Sequence, residues 1–150
     1  MNDLHSNITA DGLNAKGPIR LGASGSVVSD LRGFAAAEIL IQLSGTGATF
    51  SAANLVRLSI LHGDTSTAAT AACSASDLIT DITPVAGVVK TYNSSTAAAP
   101  GLTKIGYVGG RRYLRVRYAA SGTATGATGM TGTRIGIAVI KGRPGQAPVA

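Results

Sequence analysis

From Pro18 onward the chain is a series of short apolar runs, each closed by Gly, Ser, Thr or Asn, and no stretch sustains the 3.6-residue period of a long amphipathic helix. Runs that recur roughly every 8 to 12 residues are the signature of an all-β sandwich or barrel. The pattern predicts strands over 26–31, 37–44, 54–61, 87–92, 103–108, 111–119 and 134–141, with weaker ones over 18–22 and 77–82. In 37–43, Ala37, Ile39, Ile41 and Leu43 share one face and Glu38, Leu40 and Gln42 the other, so the first face is the expected core. In 134–140, Ile135, Ile137 and Val139 alternate with Gly136 and Ala138. That leaves a flat outer face over which another backbone could pass, although packing inside a crowded sandwich explains the small residues equally well.

The core of such a fold must be thin. Leu, Ile, Val and Phe make only 35 of the 150 residues, just above the roughly one-fifth below which chains stay disordered. Ala, Gly, Thr and Ser together fill 74 positions. Two stretches, Thr65 to Ala75 and Ala119 to Thr133, hold almost nothing else and lack the bulk to fix themselves by burial. Residues 1–17 show no sustained period and contain the turn signals Asp11-Gly12 and Gly17-Pro18. They read as an extended N-terminal arm ahead of a single domain over 18–150. No apolar run reaches the roughly 18 residues of a membrane helix. The opening residues carry Asp3, His5, Asn7 and Asp11 where a secretory signal needs an apolar stretch, so a soluble, unsecreted protein with no membrane partner is expected. Asn7-Ile8-Thr9 and Asn93-Ser94-Ser95 are then chance matches to the glycosylation pattern.

Motifs for chemistry start and then break off. The two histidines, His5 and His62, lie in the arm and at a predicted turn, so no base stands ready for a serine nucleophile. Gly22-Ala23-Ser24-Gly25 lacks the last glycine and the helix of a nucleophile elbow. Gly45-Thr46-Gly47-Ala48-Thr49-Phe50 lacks those of a dinucleotide site and reads as a hairpin loop. Asp64, Asp77 and Asp81 do not have calcium-loop spacing, and the lone Cys73 reads as a small buried thiol. No enzyme activity, metal or cofactor is expected.

The charge is unevenly placed. All seven acids fall within the first 81 residues, which carry a net −3, while residues 82–150 carry nine basic residues and no acid. Within one domain this could create opposed acidic and basic surfaces suited to self-association or to an oppositely charged partner. Residues 107–118, Tyr-Val-Gly-Gly-Arg-Arg-Tyr-Leu-Arg-Val-Arg-Tyr, concentrate the effect. Gly109-Gly110 suits a two-residue hairpin turn. Alternation then puts Arg111, Tyr113, Arg115 and Arg117 on one face and Arg112, Leu114, Val116 and Tyr118 on the core side. Same-face neighbours about 6 to 7 Å apart repel unless something negative lies opposite. Pairing within the sheet to acids such as Glu38 or Asp30, a protein interface, and nucleic acid all meet that need. Nucleic acid is disfavoured because a single-strand binder interleaves exposed aromatics with its basic groove, and this chain has two Phe, four Tyr and no Trp.

The order Val27-Val28-Ser29-Asp30-Leu31-Arg32-Gly33-Phe34, then Gly106-Tyr107-Val108-Gly109-Gly110-Arg111-Arg112-Tyr113-Leu114-Arg115-Val116, then Gly142-Arg143-Pro144, resembles a family of small tailed-phage virion proteins, the capsid decoration or cement proteins. The resemblance spans about residues 18–148 and is most specific in the Tyr107–Val116 block. It departs in the middle, where the family often has a Ser-Asp-Asp-like turn with an aromatic and this chain has His62-Gly63-Asp64-Thr65-Ser66 before an alanine-rich run. The resemblance implies a jelly-roll-like antiparallel β-sandwich on the exterior of an icosahedral virion, bound to the major capsid protein and self-associated as a dimer or trimer at local symmetry axes. The expected contact residues are Arg111, Tyr113, Arg115 and Arg117, with Arg143 and the arm as secondary grips. A head-to-tail or tail component, and a host-surface or carbohydrate-binding module, are the alternatives.

Overall fold

The computed structural model describes residues 9–14, 24–44, 50–93, 101–122 and 134–144, which form ten strands and one 3₁₀ turn. The strands are β1 (Thr9–Asn14), β2 (Ser24–Asp30), β3 (Phe34–Ser44), β4 (Asn54–Gly63), β5 (Ala71–Ala72), β6 (Leu78–Ile79), β7 (Val88–Tyr92), β8 (Gly101–Tyr107), β9 (Tyr113–Gly122) and β10 (Arg134–Pro144). Sheet A runs β1-β10-β3-β8-β6, and sheet B runs β2-β9-β4, with β5 and β7 both on the far edge of β4.

The pairing follows one rule. β1 pairs with β10, β2 with β9, β3 with β8 and β4 with β7, all antiparallel. The first four strands therefore fold back against the last four as one long double ribbon, which winds so that successive strands alternate sheets. Two further ladders, β10 to β3 and β9 to β4, close the winding into a jelly roll, as the resemblance implied. The alternating runs appear as strands at nearly the expected places, except that 77–82 shrinks to the two residues of β6 and 18–22 lies outside the described residues. Within the stretch read as an arm, residues 9–14 form the edge strand β1, in register from Thr9 opposite Lys141 to Asn14 opposite Gly136; the rest of 1–17 lies outside the described residues.

This topology overturns two local readings. Gly109-Gly110 does not turn a hairpin, because β8 belongs to sheet A and β9 to sheet B, so the segment crosses between sheets. Gly110 does take positive φ, at 69°, but Gly109 is needed for space: a Cβ there would meet the Asp77 side chain and the Tyr107 ring at under 3 Å. The segment after β3, read as a hairpin loop, lies outside the described residues over 45–49, but the strands on its two sides, β3 and β4, belong to different sheets as well.

The core fills the space between the inner faces. Ala37, Ile39, Ile41 and Leu43 of β3 and Ile135, Ile137 and Val139 of β10 are buried as their alternation required. They meet Val56, Leu58 and Ile60 of β4 and Leu114, Val116 and Tyr118 of β9 across the sandwich. On the outer face of sheet A, Gly136 has open space where a Cβ would stand, which is the flat surface the sequence suggested. Gly25 is a different case: a Cβ would come within 2.6 Å of the Tyr118 ring, so the glycine makes room for a core aromatic.

A core with so few large side chains has little redundancy. Ile39→Ala should cost about 3 kcal/mol, read as a lowered urea midpoint with an unchanged slope. Ser29 is fully buried on the inner face of β2, and its hydroxyl has no hydrogen-bond partner among the described residues. Ser29→Ala should therefore hold or raise the melting temperature, since it removes an unsatisfied polar group and no hydrogen bond.

Candidate functional site

β9 lies between β2 and β4, so its alternate residues project from the centre of sheet B rather than from an edge. Leu114, Val116, Tyr118 and Ala120 point into the core, and Tyr113, Arg115 and Arg117 point outward, as predicted. The register supplies their neighbours. Arg115 stands between Val28 of β2 and Leu61 of β4, Arg117 between Ser26 and Ser59, and Ala119 between Ser24 and Arg57. Arg57 thus joins the same outer face. It was missed in the sequence, although its place between buried Val56 and Leu58 signalled an outward side chain.

The arginines of the stripe have different fates. Arg111 precedes the strand and forms an ion pair with Asp64, both side chains being largely exposed. Arg115 donates from its Nη2 to the Ser66 carbonyl at 2.9 Å, while its Nε is buried with no hydrogen-bond partner among the described residues. These two contacts pin the 64–67 segment over the start of β9. The segment is held further by Thr65 Oγ1, which accepts from the Ala68 N–H at 3.1 Å, and by burial of Ala69. The alanine-rich stretch that lacked bulk is thus fixed mainly by polar contacts. Arg117 and Arg57 are exposed, and neither has an ion-pair partner among the described residues.

Arg112 corrects the predicted alternation. It lies just outside β9 and is exposed rather than turned to the core; it forks onto Asp30, with Nε to Oδ1 at 3.1 Å and Nη2 to Oδ2 at 2.8 Å. Its guanidinium also covers the Tyr113 ring, 4.8 Å from the centroid. The Arg112 hydrogen bonds, with a smaller contribution from the Arg32 N–H, hold the Asp30 carboxyl far below the usual carboxylate range against the opposing effect of burial. Of the two acids expected to answer the stripe, Asp30 thus pairs with its neighbour, whereas Glu38 stands in sheet A.

Between the loops, the outer face of sheet B forms an open concavity of about 510 Å³ around Arg115 and Arg117. Hydroxyl residues Ser24, Ser26, Ser59 and Thr70 line it, and among the described residues no carboxylate does. Arg143 is on β10 in sheet A, so the structure does not group its backbone with the stripe; its side chain lies outside the described residues.

The structure also gathers a polar cluster that the sequence did not show. His62, read as a turn residue, is on β4 and buried, with Nδ1 3.0 Å from the Tyr107 hydroxyl. That hydroxyl also accepts from the Arg111 N–H at 3.2 Å, so it bridges the start of β9 to His62. Burial pushes both the Tyr107 hydroxyl and the nearby Cys73 thiol up to about 12. A thiol so protonated is a packing group rather than a nucleophile. Ser74 donates to Asp77 from both its N–H, at 2.7 Å, and its hydroxyl, at 2.6 Å, which lowers the Asp77 carboxyl and closes the 3₁₀ turn. Among the described residues no group of three His, Cys, Asp or Glu is placed to hold a metal ion.

Because the Asp30 carboxyl is lowered on folding, its contribution to stability is complete above the unfolded-state value of about 3.9 and is lost as pH falls toward the folded one. Asp30→Asn should lower the melting temperature at pH 6, and the gap from the native protein should narrow as melts are repeated from pH 4 to pH 2.

No protein-family model matches the chain, and no curated protein matches its sequence. Among solved structures, the coat protein of Tobacco streak virus is similar at a TM-score of 0.36 and 12% identity, over 100% of this chain and 94% of that one. The fold assignment rests on the strand ladders themselves.

Proposed function

We propose that this is a non-enzymatic structural protein of a virion, of the decoration or cement class, whose sheet B lies against an acidic patch on the outer surface of a shell of major capsid protein. The observation that carries the reading is the outer face of sheet B. Arg57, Arg115 and Arg117 share it with serines and aliphatic residues, while Asp30 and Asp64 are engaged by Arg112 and Arg111 at its margin. A basic surface without its own acids suits a partner that supplies them. The Tyr107 to Val116 block, which resembles the decoration proteins, builds the entry to this face and its central strand.

A rigid jelly roll suits such work because its strands hold the arginines in fixed register, so little ordering accompanies docking. Each copy need bury only the area of a standard interface, about 1,600 Å² in total. Stabilisation at each site follows the bound fraction, and repetition over a shell multiplies it. Self-association at symmetry axes belongs to the same proposal.

The test is co-sedimentation with shells that lack the protein. Saturable binding of hundreds of copies, weakened by added salt, is expected. The double variant Arg57→Glu, Arg117→Glu should bind at least about tenfold more weakly while melting within about 0.5 kcal/mol of the native protein, since both side chains are exposed. Undiminished binding by the folded variant, or no binding by the native protein, would overturn the reading.

A further inference from the structure

We infer that the concavity between Arg115 and Arg117 is a carboxylate site, which takes a Glu or Asp side chain from an extended acidic segment of a partner protein. The inference deepens the reading above and takes from it only that a protein docks on sheet B. Two guanidinium groups project from one strand two residues apart, a spacing of about 6 to 7 Å at the backbone. Among the described residues that line the concavity, none carries a negative charge to offset theirs. Arg115 is the fixed wall, because its Nη2 is committed to the Ser66 carbonyl. Arg117 is the open one: it is exposed, it makes no ion pair among the described residues, and the register sets it between Ser26 and Ser59.

That combination matches a carboxylate. A guanidinium presents parallel N–H donors to both oxygens of a planar anion, and neighbouring hydroxyls can donate to the lone pairs that remain. The floor is strand backbone in a regular ladder, so the donors are held in place before the ligand arrives. Nucleic acid is the weaker fit, since binding single strands requires aromatic platforms beside the cations. The aromatic on this face is Tyr113, and the Arg112 guanidinium already covers its ring.

The experiment uses the full chain and a dye-labelled hexaglutamate peptide, followed by fluorescence anisotropy at fixed ionic strength. Saturable binding of one peptide per protein is expected, with inorganic sulfate and an oligothymidylate as the competing anions. Arg117→Lys keeps the charge but removes the fork, so it should weaken the peptide about tenfold, whereas Arg134→Lys, exposed on β10 in sheet A, should not. Circular dichroism melts establish that each variant is folded. Equal affinity of Arg117→Lys and the native protein would show charge attraction without a built site and overturn the inference. Tighter binding of sulfate or of the oligothymidylate than of the peptide would overturn it as well. Shell binding by the native protein without any peptide binding would sink the carboxylate site alone. Peptide binding without any binding to shells would sink the cement reading and leave the site in place.

Discussion

The structure depends on a long-range constraint: each of the first four strands must find its partner among the later strands of the chain. Thr9 pairs with Lys141, Ser24 with Ala119, Leu43 with Gly101 and Val56 with Tyr92. Only after these ladders form do the inner faces meet and the buried isoleucines and leucines leave water. Closing such long loops precedes most of the reward in burial, which places the fold among slow, non-local β topologies.

The same constraint decides the fate of the charge asymmetry. Because each main strand of the acid-bearing half lies beside one from the basic half, the two halves do not segregate into opposed surfaces. They interleave, and the asymmetry becomes local pairing: Asp30 with Arg112, Asp64 with Arg111. What forms no ion pair among the described residues is the middle of β9 with its neighbour Arg57. The basic face is thus the remainder left after the ribbon has matched its charges at one end.

Polar contacts substitute for bulk where the chain is built of small residues. The 64–68 segment has little side chain to bury, yet a carbonyl, a carboxylate and a hydroxyl fix it over the start of the basic strand. The buried bridge from the Arg111 N–H through the Tyr107 hydroxyl to His62 likewise ties the crossing between sheets to β4. The residues that position the candidate site are therefore held by hydrogen bonds as much as by the thin core behind them.

The sequence by itself determined the β class, the strand positions and the core faces, because a period of two is a local property that burial reads directly. It was enough to put Ile39, Ile137 and Val116 inside and Arg115 and Arg117 outside. It could also have placed Arg57, which obeys the same alternation. Only the tertiary structure decided which strands are neighbours, and with that whether Gly109-Gly110 turns a hairpin or crosses between sheets, whether 9–14 is an arm or an edge strand, and which arginines meet an acid. His62, Tyr107 and Cys73 come together for the same reason. Such pairings join residues far apart in the chain, and alternation, which repeats every two residues, carries no record of register between distant strands.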